Sequence, residues 1–283
     1  MKTTLLIDAD VLAYQSAFTA QANIQWDEDL WTVHADLARA KTWIVERLEM
    51  FKNKTNADDF ILAISDSNNF RRKLNPMYKA NRRSKFAPIG LSPIRDWMAE
   101  EYGTVIYPNM EADDVIAILA TDLTPDEKRI IVSIDKDFKS VPCTFYDFNK
   151  DEIHDVSEEE AQRYHLMQTI AGDPVDGYKG VPGFGPVKAF RVLDKSGVNW
   201  DTVLKAFSDA QLSEQEALTN AWMAYLIQDR EYDSVRKHLK YLWMPSEFSN
   251  AQKEKYNHII QQVTGKLDED LARPKPFDPL GGI

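Results

Sequence analysis

Apolar positions along this chain fall into short continuous runs separated by longer stretches with a helical period. Residues 3–8, Thr-Thr-Leu-Leu-Ile-Asp, read as a buried first strand that ends on Asp8. Residues 59–66, Asp-Phe-Ile-Leu-Ala-Ile-Ser-Asp, repeat the pattern and end on Asp66. A third run over residues 130–134 stops just before Asp135 and Asp137. Unbroken apolar runs of this length suit strands buried on both faces of a parallel sheet. Residues 103–107 read as a further strand, and 143–148 and 152–156 as shorter ones joined by a hairpin at 149–151. Helices fill the intervals. Residues 32–54 place Val33, Leu37, Ala40, Ile44, Leu48 and Phe51 on one stripe with charges opposite. Residues 92–102 predict a helix with Ser92 as N-cap and Pro93 in its first turn. Another helix opens at Glu111-Ala-Asp-Asp114 and carries Val115, Ile116, Ile118 and Leu119. Ser157-Glu-Glu-Glu160 has capping-box spacing and starts a helix to about Ile170. Residues 200–228 hold one or two helices, Tyr241-Leu-Trp-Met-Pro245 ends the packed core, and 249–264 form a final helix. Strands alternating with helices predict an α/β fold with a mostly parallel central sheet.

Composition narrows this picture. The chain has 283 residues, 43% of them hydrophobic, which suits one elaborated domain or two. Its one cysteine, Cys143, excludes an internal disulfide and fits a reducing cytoplasm. Met1-Lys-Thr-Thr runs straight into a strand without the features of a signal peptide, and no apolar run approaches membrane-spanning length. The net charge of −11 argues against bulk electrostatic binding to nucleic acid but leaves room for a local basic patch.

The acids are placed where such a sheet binds ligands. Asp8, Asp66 and Asp135 end three apolar runs and can converge along one sheet edge, outside the carboxyl ends of the strands. Each alone has a simpler reading. Asp8 suits a helix N-cap and Asp66 a turn. Acids in a first turn also satisfy a helix dipole, yet Glu111, Asp113 and Asp114 put three in four positions, more than capping needs. Carboxylates packed this way repel unless a cation lies between them. Hard oxygen donors favour magnesium or manganese. Asp173 and Asp176 lie in a Gly- and Pro-rich turn and read as turn residues or as further ligands.

Two segments reverse the overall charge or expose backbone. Residues 71–85 hold seven basic residues and no acid. They read as a solvated loop or as a phosphate-contacting segment, with Tyr78 available to stack on a base or to pack. Residues 180–193, Gly-Val-Pro-Gly-Phe-Gly-Pro-Val-Lys-Ala-Phe-Arg-Val-Leu, match a helix–hairpin–helix. Its glycines allow a tight hairpin that offers N–H groups to a phosphate, Lys188 adds charge, and Val187, Phe190 and Leu193 are expected to face inward.

Taken in order, Ile7-Asp8, Ser65-Asp66, Tyr78-Lys-Ala-Asn-Arg82, Glu111-Ala-Asp-Asp114, Asp135-Lys-Asp137, Gly172-Asp-Pro-Val-Asp176 and the Gly180–Lys188 hairpin resemble the 5′-nuclease superfamily. These are the flap endonucleases and 5′→3′ exonucleases, and the likeness is greatest to the phage exonuclease branch. It runs from Leu5 to about Leu193. The resemblance implies a PIN-like nuclease core over residues 1–170 with a basic gateway segment over 71–95. A helix–hairpin–helix unit would follow over 171–245, and a C-terminal helix and tail over 246–283. It implies two metal ions, magnesium with manganese able to substitute. Asp8, Asp66, Glu111, Asp113 and Asp135 would serve the first, and Asp137, Asp173 and Asp176 the second. Asp135 would lie near both, with Asp114 in support. Lys79 and Arg82 match the residues expected to contact the scissile phosphate. The DNA surface would comprise Arg71, Arg72, Tyr78, Lys79, Arg82 and Arg83 with Gly183, Gly185 and Lys188, and a potassium ion would sit at the hairpin. Implied substrates are duplex DNA with 5′ ends, nicks, gaps or flaps, and RNA–DNA hybrids. The Pro-rich tail is a candidate site for a replication protein. Ala9 stands where many relatives carry glycine, and the gateway segment is short for flap threading. Two other readings stay open. Ile7-Asp-Ala-Asp10 looks like the nucleophile motif of haloacid-dehalogenase-like phosphatases, and the hairpin alone suits a non-catalytic DNA-structure binder.

Overall fold

The computed structural model describes residues 1–82, 86–256, 259 and 263. Arg83 and residues 264–283 of the tail lie outside the described residues, as does the side chain of Arg82. Strand β1 (Lys2–Asp8) runs directly into helix α1 (Ala9–Thr19). A hairpin of β2 (Gln21–Asp27) and β3 (Leu30–Ala35) follows, then α2 (Leu37–Thr55), β4 (Asp59–Ala63), the single turn α3 (Arg71–Leu74) and α4 (Leu91–Tyr102). Next come α5 (Ala112–Thr121), β5 (Glu127–Ser133), β6 (Cys143–Asp147), β7 (Glu152–Val156) and α6 (Glu158–Ala171). A two-residue pair, β8 (Gly172–Asp173) and β9 (Tyr178–Lys179), leads to α7 (Pro186–Ser196), α8 (Trp200–Asp209) and α9 (Glu214–Ala224). A last small pair is β10 (Tyr232–Asp233) with β11 (His238–Leu239).

The central sheet has the order β4-β1-β5-β6-β7. All neighbours are parallel except β6 and β7. Successive side chains of a strand point to opposite faces, and the buried residues divide accordingly. Leu5, Ile7, Ile130, Val132 and Tyr146 pack with Leu12 of α1, Ile44 and Phe51 of α2, and Ile94 and Met98 of α4. Leu6, Ile131 and Phe145 pack on the other face with Val115 of α5, Ile170 of α6 and residues of α7–α9. Both faces are covered, which is why the strands read as unbroken apolar runs.

Several expected boundaries move. Residues 32–35 belong to β3 rather than to the long helix, and Val33 is 44% exposed. Helix α2 starts only after Asp36, whose carboxylate accepts a hydrogen bond from the Arg39 N–H and caps it. The cap at Asp36 lets β3 pair with β2 ahead of it. Residues 103–107 form no ladder; Val105 alone bridges Ala63. Helix α4 begins at Leu91 with Gly90 as N-cap, not Ser92. Val187 is 74% exposed because it lies in the first turn of α7, at the projecting hairpin; Ala189 and Leu193 are the residues buried. The core also continues past Pro245, through Phe248, Tyr256 and Val263, and residues 250–256 are helical. Among the described residues no helix is long and apolar enough to cross a membrane.

Candidate active site

The carboxyl ends of β1 and β5, which pair side by side, bring the first acids together. Asp8 is the last residue of β1 and the N-cap of α1, with its Oδ1 accepting from the Val11 N–H at 3.1 Å. It is also 6% exposed. Burial, reinforced by the Asp10 and Asp135 carboxylates and opposed by the Val11 bond, pushes its pKa up to about 7. Asp113, in the first turn of α5, is pushed well above the usual range by burial and then by Asp8 and Asp135. Its Oδ1 is buried without a hydrogen-bond partner. Asp135 lies two residues beyond β5 and accepts from the Asp137 N–H at 2.9 Å, capping a short 3₁₀ turn over Lys136–Ser140. Asp137 is raised to about 7, first by burial and then by Asp135. Asp66 stands beyond β4 and accepts from the Asn109 and Ser67 N–H groups.

Glu111 is the N-cap of α5 and joins the basic segment to the acids. It accepts from the Tyr78 hydroxyl at 2.6 Å and from Lys79 Nζ at 2.7 Å, and Arg71 stands 3.4 Å away. Burial would raise Glu111, but the Lys79 and Arg71 charges outweigh it and hold the carboxyl at about 2. Asp114, with no exposure, takes two hydrogen bonds from the Arg71 guanidinium at 2.6 and 2.8 Å and one from the Ile227 N–H. Arg71 is itself 1% exposed and donates further to the Met223 and Tyr225 carbonyls. Arg71 and Tyr78, expected at the DNA surface, are therefore inside the protein. The reason is electrostatic: Asp114 faces the interior from the first turn of α5, and only a buried cation makes that tolerable. Arg72 is exposed. Lys79 is largely shielded and stands 3.9 Å from Asp176 as well as against Glu111.

Asp173 and Asp176 flank the turn between β8 and β9. Asp173 Oδ1 accepts from the Val175 and Asp176 N–H groups, as a turn residue does, while Oδ2 faces Lys136 Nζ at 3.3 Å. The far end of this turn is pressed against the end of α6: a Cβ on Gly180 would lie 2.1 Å from the carbonyl carbon of Ala171. Beyond it the chain turns at Gly183, whose φ of +74° favours glycine, and enters α7 with Gly185 as N-cap. Gly183, Gly185 and Lys188 are all exposed. Lys188 Nζ reaches the Gly183 carbonyl and lies 3.9 Å over the Phe184 ring.

Three residues of this site had not been singled out as ligands or contacts. Asp10 accepts from the Ser65 N–H and pairs with Arg95 at 3.0 Å, and its position two after Asp8 was the available signal. Lys136 lies between Asp135 and Asp137 in the chain. Gln168 donates to Asp137 at 2.6 Å, and nothing in the helical pattern of α6 marks it.

The donors suit a hard divalent cation: they are carboxylate oxygens, several have pKa values raised by burial and then by one another, and Asp113 Oδ1 has no partner. Among the described residues no group of three His, Cys, Asp or Glu side chains is already closed enough to hold an ion.

A family described as "5′-3′ exonuclease, N-terminal resolvase-like domain" matches residues 3–164. The exodeoxyribonuclease of Enterobacteria phage T3 is 30% identical, over 86% of this chain and 93% of its own length. The exonuclease of Escherichia phage T7 is 29% identical, over 86% and 94%. The fold is similar to that of a bacteriophage T5 flap endonuclease solved with DNA and metal ions. That likeness has a TM-score of 0.62 and 14% identity and covers 93% of this chain and 99% of the other.

Proposed function

This chain belongs to the 5′-3′ exonuclease family, and from that premise we propose that it hydrolyses phosphodiesters at the 5′ ends of DNA, as exonuclease and flap endonuclease, with divalent cations bound at the acid cluster. The observation that carries the reading is the convergence of mutually repelling carboxylates, Asp8, Asp113 and Asp135, where the ends of β1 and β5 meet the first turn of α5. Family membership leaves the phosphatase and the non-catalytic binder without support of their own.

Asp8, Glu111, Asp113 and Asp135, with Asp66, would hold one cation, and Asp137, Asp173 and Asp176 a second. Divalent cations at such sites lower the pKa of bound water and stabilise attacking and leaving oxygens. The side chains of the chain do the rest. Asp114 and Arg71 lock the first turn of α5, so that Glu111 and Asp113 present their oxygens from a rigid base. Lys79 holds an ammonium between Glu111 and Asp176, where it can neutralise charge on a phosphate. Exposed N–H groups at the hairpin and Lys188 would grip the duplex backbone without reading sequence. The proposal extends to magnesium with manganese substituting, a potassium ion at the hairpin, RNA–DNA hybrids as substrates, and a cytoplasmic location. It extends also to a replication partner for the C-terminal tail and to the division into units 1–170, 171–245 and 246–283.

A 5′-labelled duplex, with and without a 5′ flap, tests the reading in magnesium and in EDTA. We expect magnesium-dependent release of short 5′ products, and Asp135→Ala should abolish cleavage while sparing DNA binding. Cleavage in EDTA, or wild-type cleavage by Asp135→Ala, would overturn it.

A further inference from the structure

Helix α6 links the acid cluster to the hairpin, and near its end Gln168 is 3% exposed. Its Nε2 donates to Asp137 Oδ1 at 2.6 Å. Its Oε1 is buried and has no hydrogen-bond partner. With Asp137 ionised, as a ligand must be, the amide cannot be reversed, because reversal would set Oε1 against the carboxylate oxygen. Buried polar groups of adjoining residues are already used: the Thr169 hydroxyl donates to the His165 carbonyl, and the Asn220 amide donates to the carbonyls of Thr169 and Lys179. Gln168 thus carries a committed N–H on one side and an unmet acceptor on the other. A buried acceptor left unpaired is costly, and its retention calls for a donor that arrives with something else.

We propose that Gln168 is a positioning residue of the second cation site: its N–H holds the Asp137 carboxylate in ligating orientation, and its Oε1 accepts a hydrogen bond from water that the bound cation retains. The inference rests on the function proposed above. Magnesium-like ions keep several of their waters, so a donor would arrive with the ion. Outer partners of this kind fix the direction of a ligand and change metal affinity by about 10–100-fold. A purely structural glutamine would instead support the packing of α6 on the Lys136–Ser140 turn whether or not a cation is bound.

The test is a titration with manganese, following free Mn²⁺ by electron paramagnetic resonance, on wild type and on Gln168→Met, which keeps length and loses both polar atoms. We expect two ions per wild-type chain. In the variant the weaker class should weaken by about 10–100-fold while the tighter class stays within about twofold. An unchanged isotherm, or equal weakening of both classes, would overturn the inference while leaving the nuclease reading intact. Wild type that takes up no Mn²⁺ would overturn both. Should the variant fail to fold, the side-chain N–H₂ resonances of Gln168 in wild type decide. They are expected to shift with the second equivalent of magnesium and not the first, and silence across the whole titration defeats the proposal.

Discussion

Burying Arg71 is tolerable only because its planar guanidinium meets Asp114 at two points and two backbone carbonyls besides. The pair ties α3 to α5 and to the chain after α9, so its loss acts on three elements together. Arg71→Met leaves Asp114 buried and uncompensated, and we expect urea unfolding to show a loss of roughly 3–5 kcal/mol. Arg72→Ala, on the exposed side of the same turn, should change stability by no more than about 0.5 kcal/mol. Its effect is expected instead in DNA binding. Equal stability of Arg71→Met and wild type would mean that Asp114 finds another partner. The basic stretch is therefore divided between buried and exposed residues from one position to the next, and charge counting along the sequence could not divide it.

At the scale of elements, the ends of β1 and β5 and the first turns of α1 and α5 concentrate negative charge that folding alone does not neutralise. Asp8 and Asp137 are both raised to about 7, so the folded chain binds more protons than the unfolded one between the ordinary carboxylate range and that value. Their contribution to stability is complete below about pH 4 and is lost as pH rises through about 7. Glu111 works in the opposite sense. Held at about 2, it contributes above its ordinary range and loses that contribution only as pH falls toward 2. In EDTA, thermal unfolding should therefore occur at a lower temperature at about pH 8 than at about pH 5.5. Added magnesium should remove most of that difference by replacing the protons. A metal-free melting temperature that rises steadily over this interval would contradict the burial of these carboxylates.

For the whole molecule, one apolar cluster runs from Leu6 in the sheet through α5 and α6 to Leu193, Phe207 and Trp222, which anchors the hairpin to the catalytic sheet. The proposed sites of substrate grip and chemistry thus share one apolar core. Lys188→Glu, at the exposed start of α7, should weaken duplex binding about tenfold and flatten its salt dependence by about one phosphate contact. Melting temperature and the cleavage rate at saturating DNA should stay at the wild-type value. Anisotropy titrations at several salt concentrations measure the first effect and single-turnover cleavage the second. A fall in the saturating rate would place Lys188 in the chemistry.

The strands of the central sheet, the capping box at Ser157 and the order of the acidic motifs were legible in the sequence by itself, because each depends on local periodicity or on neighbours in the chain, whereas the β2–β3 pair was hidden behind a helical pattern and residues 103–107 looked like a strand that does not form. The pairing of β6 with β7 followed from the turn between them. What only the tertiary structure decided are the relations between distant segments. Arg71 and Asp114 are 43 residues apart in the chain, and Gln168 and Asp137 are 31 apart. Whether a given charge faces solvent, a phosphate or another side chain depends on which helix is packed against it. The same pattern of basic and apolar letters is compatible with either side of that boundary, and burial, which sets the cost of an unpaired charge, exists only once the helices have closed on the sheet.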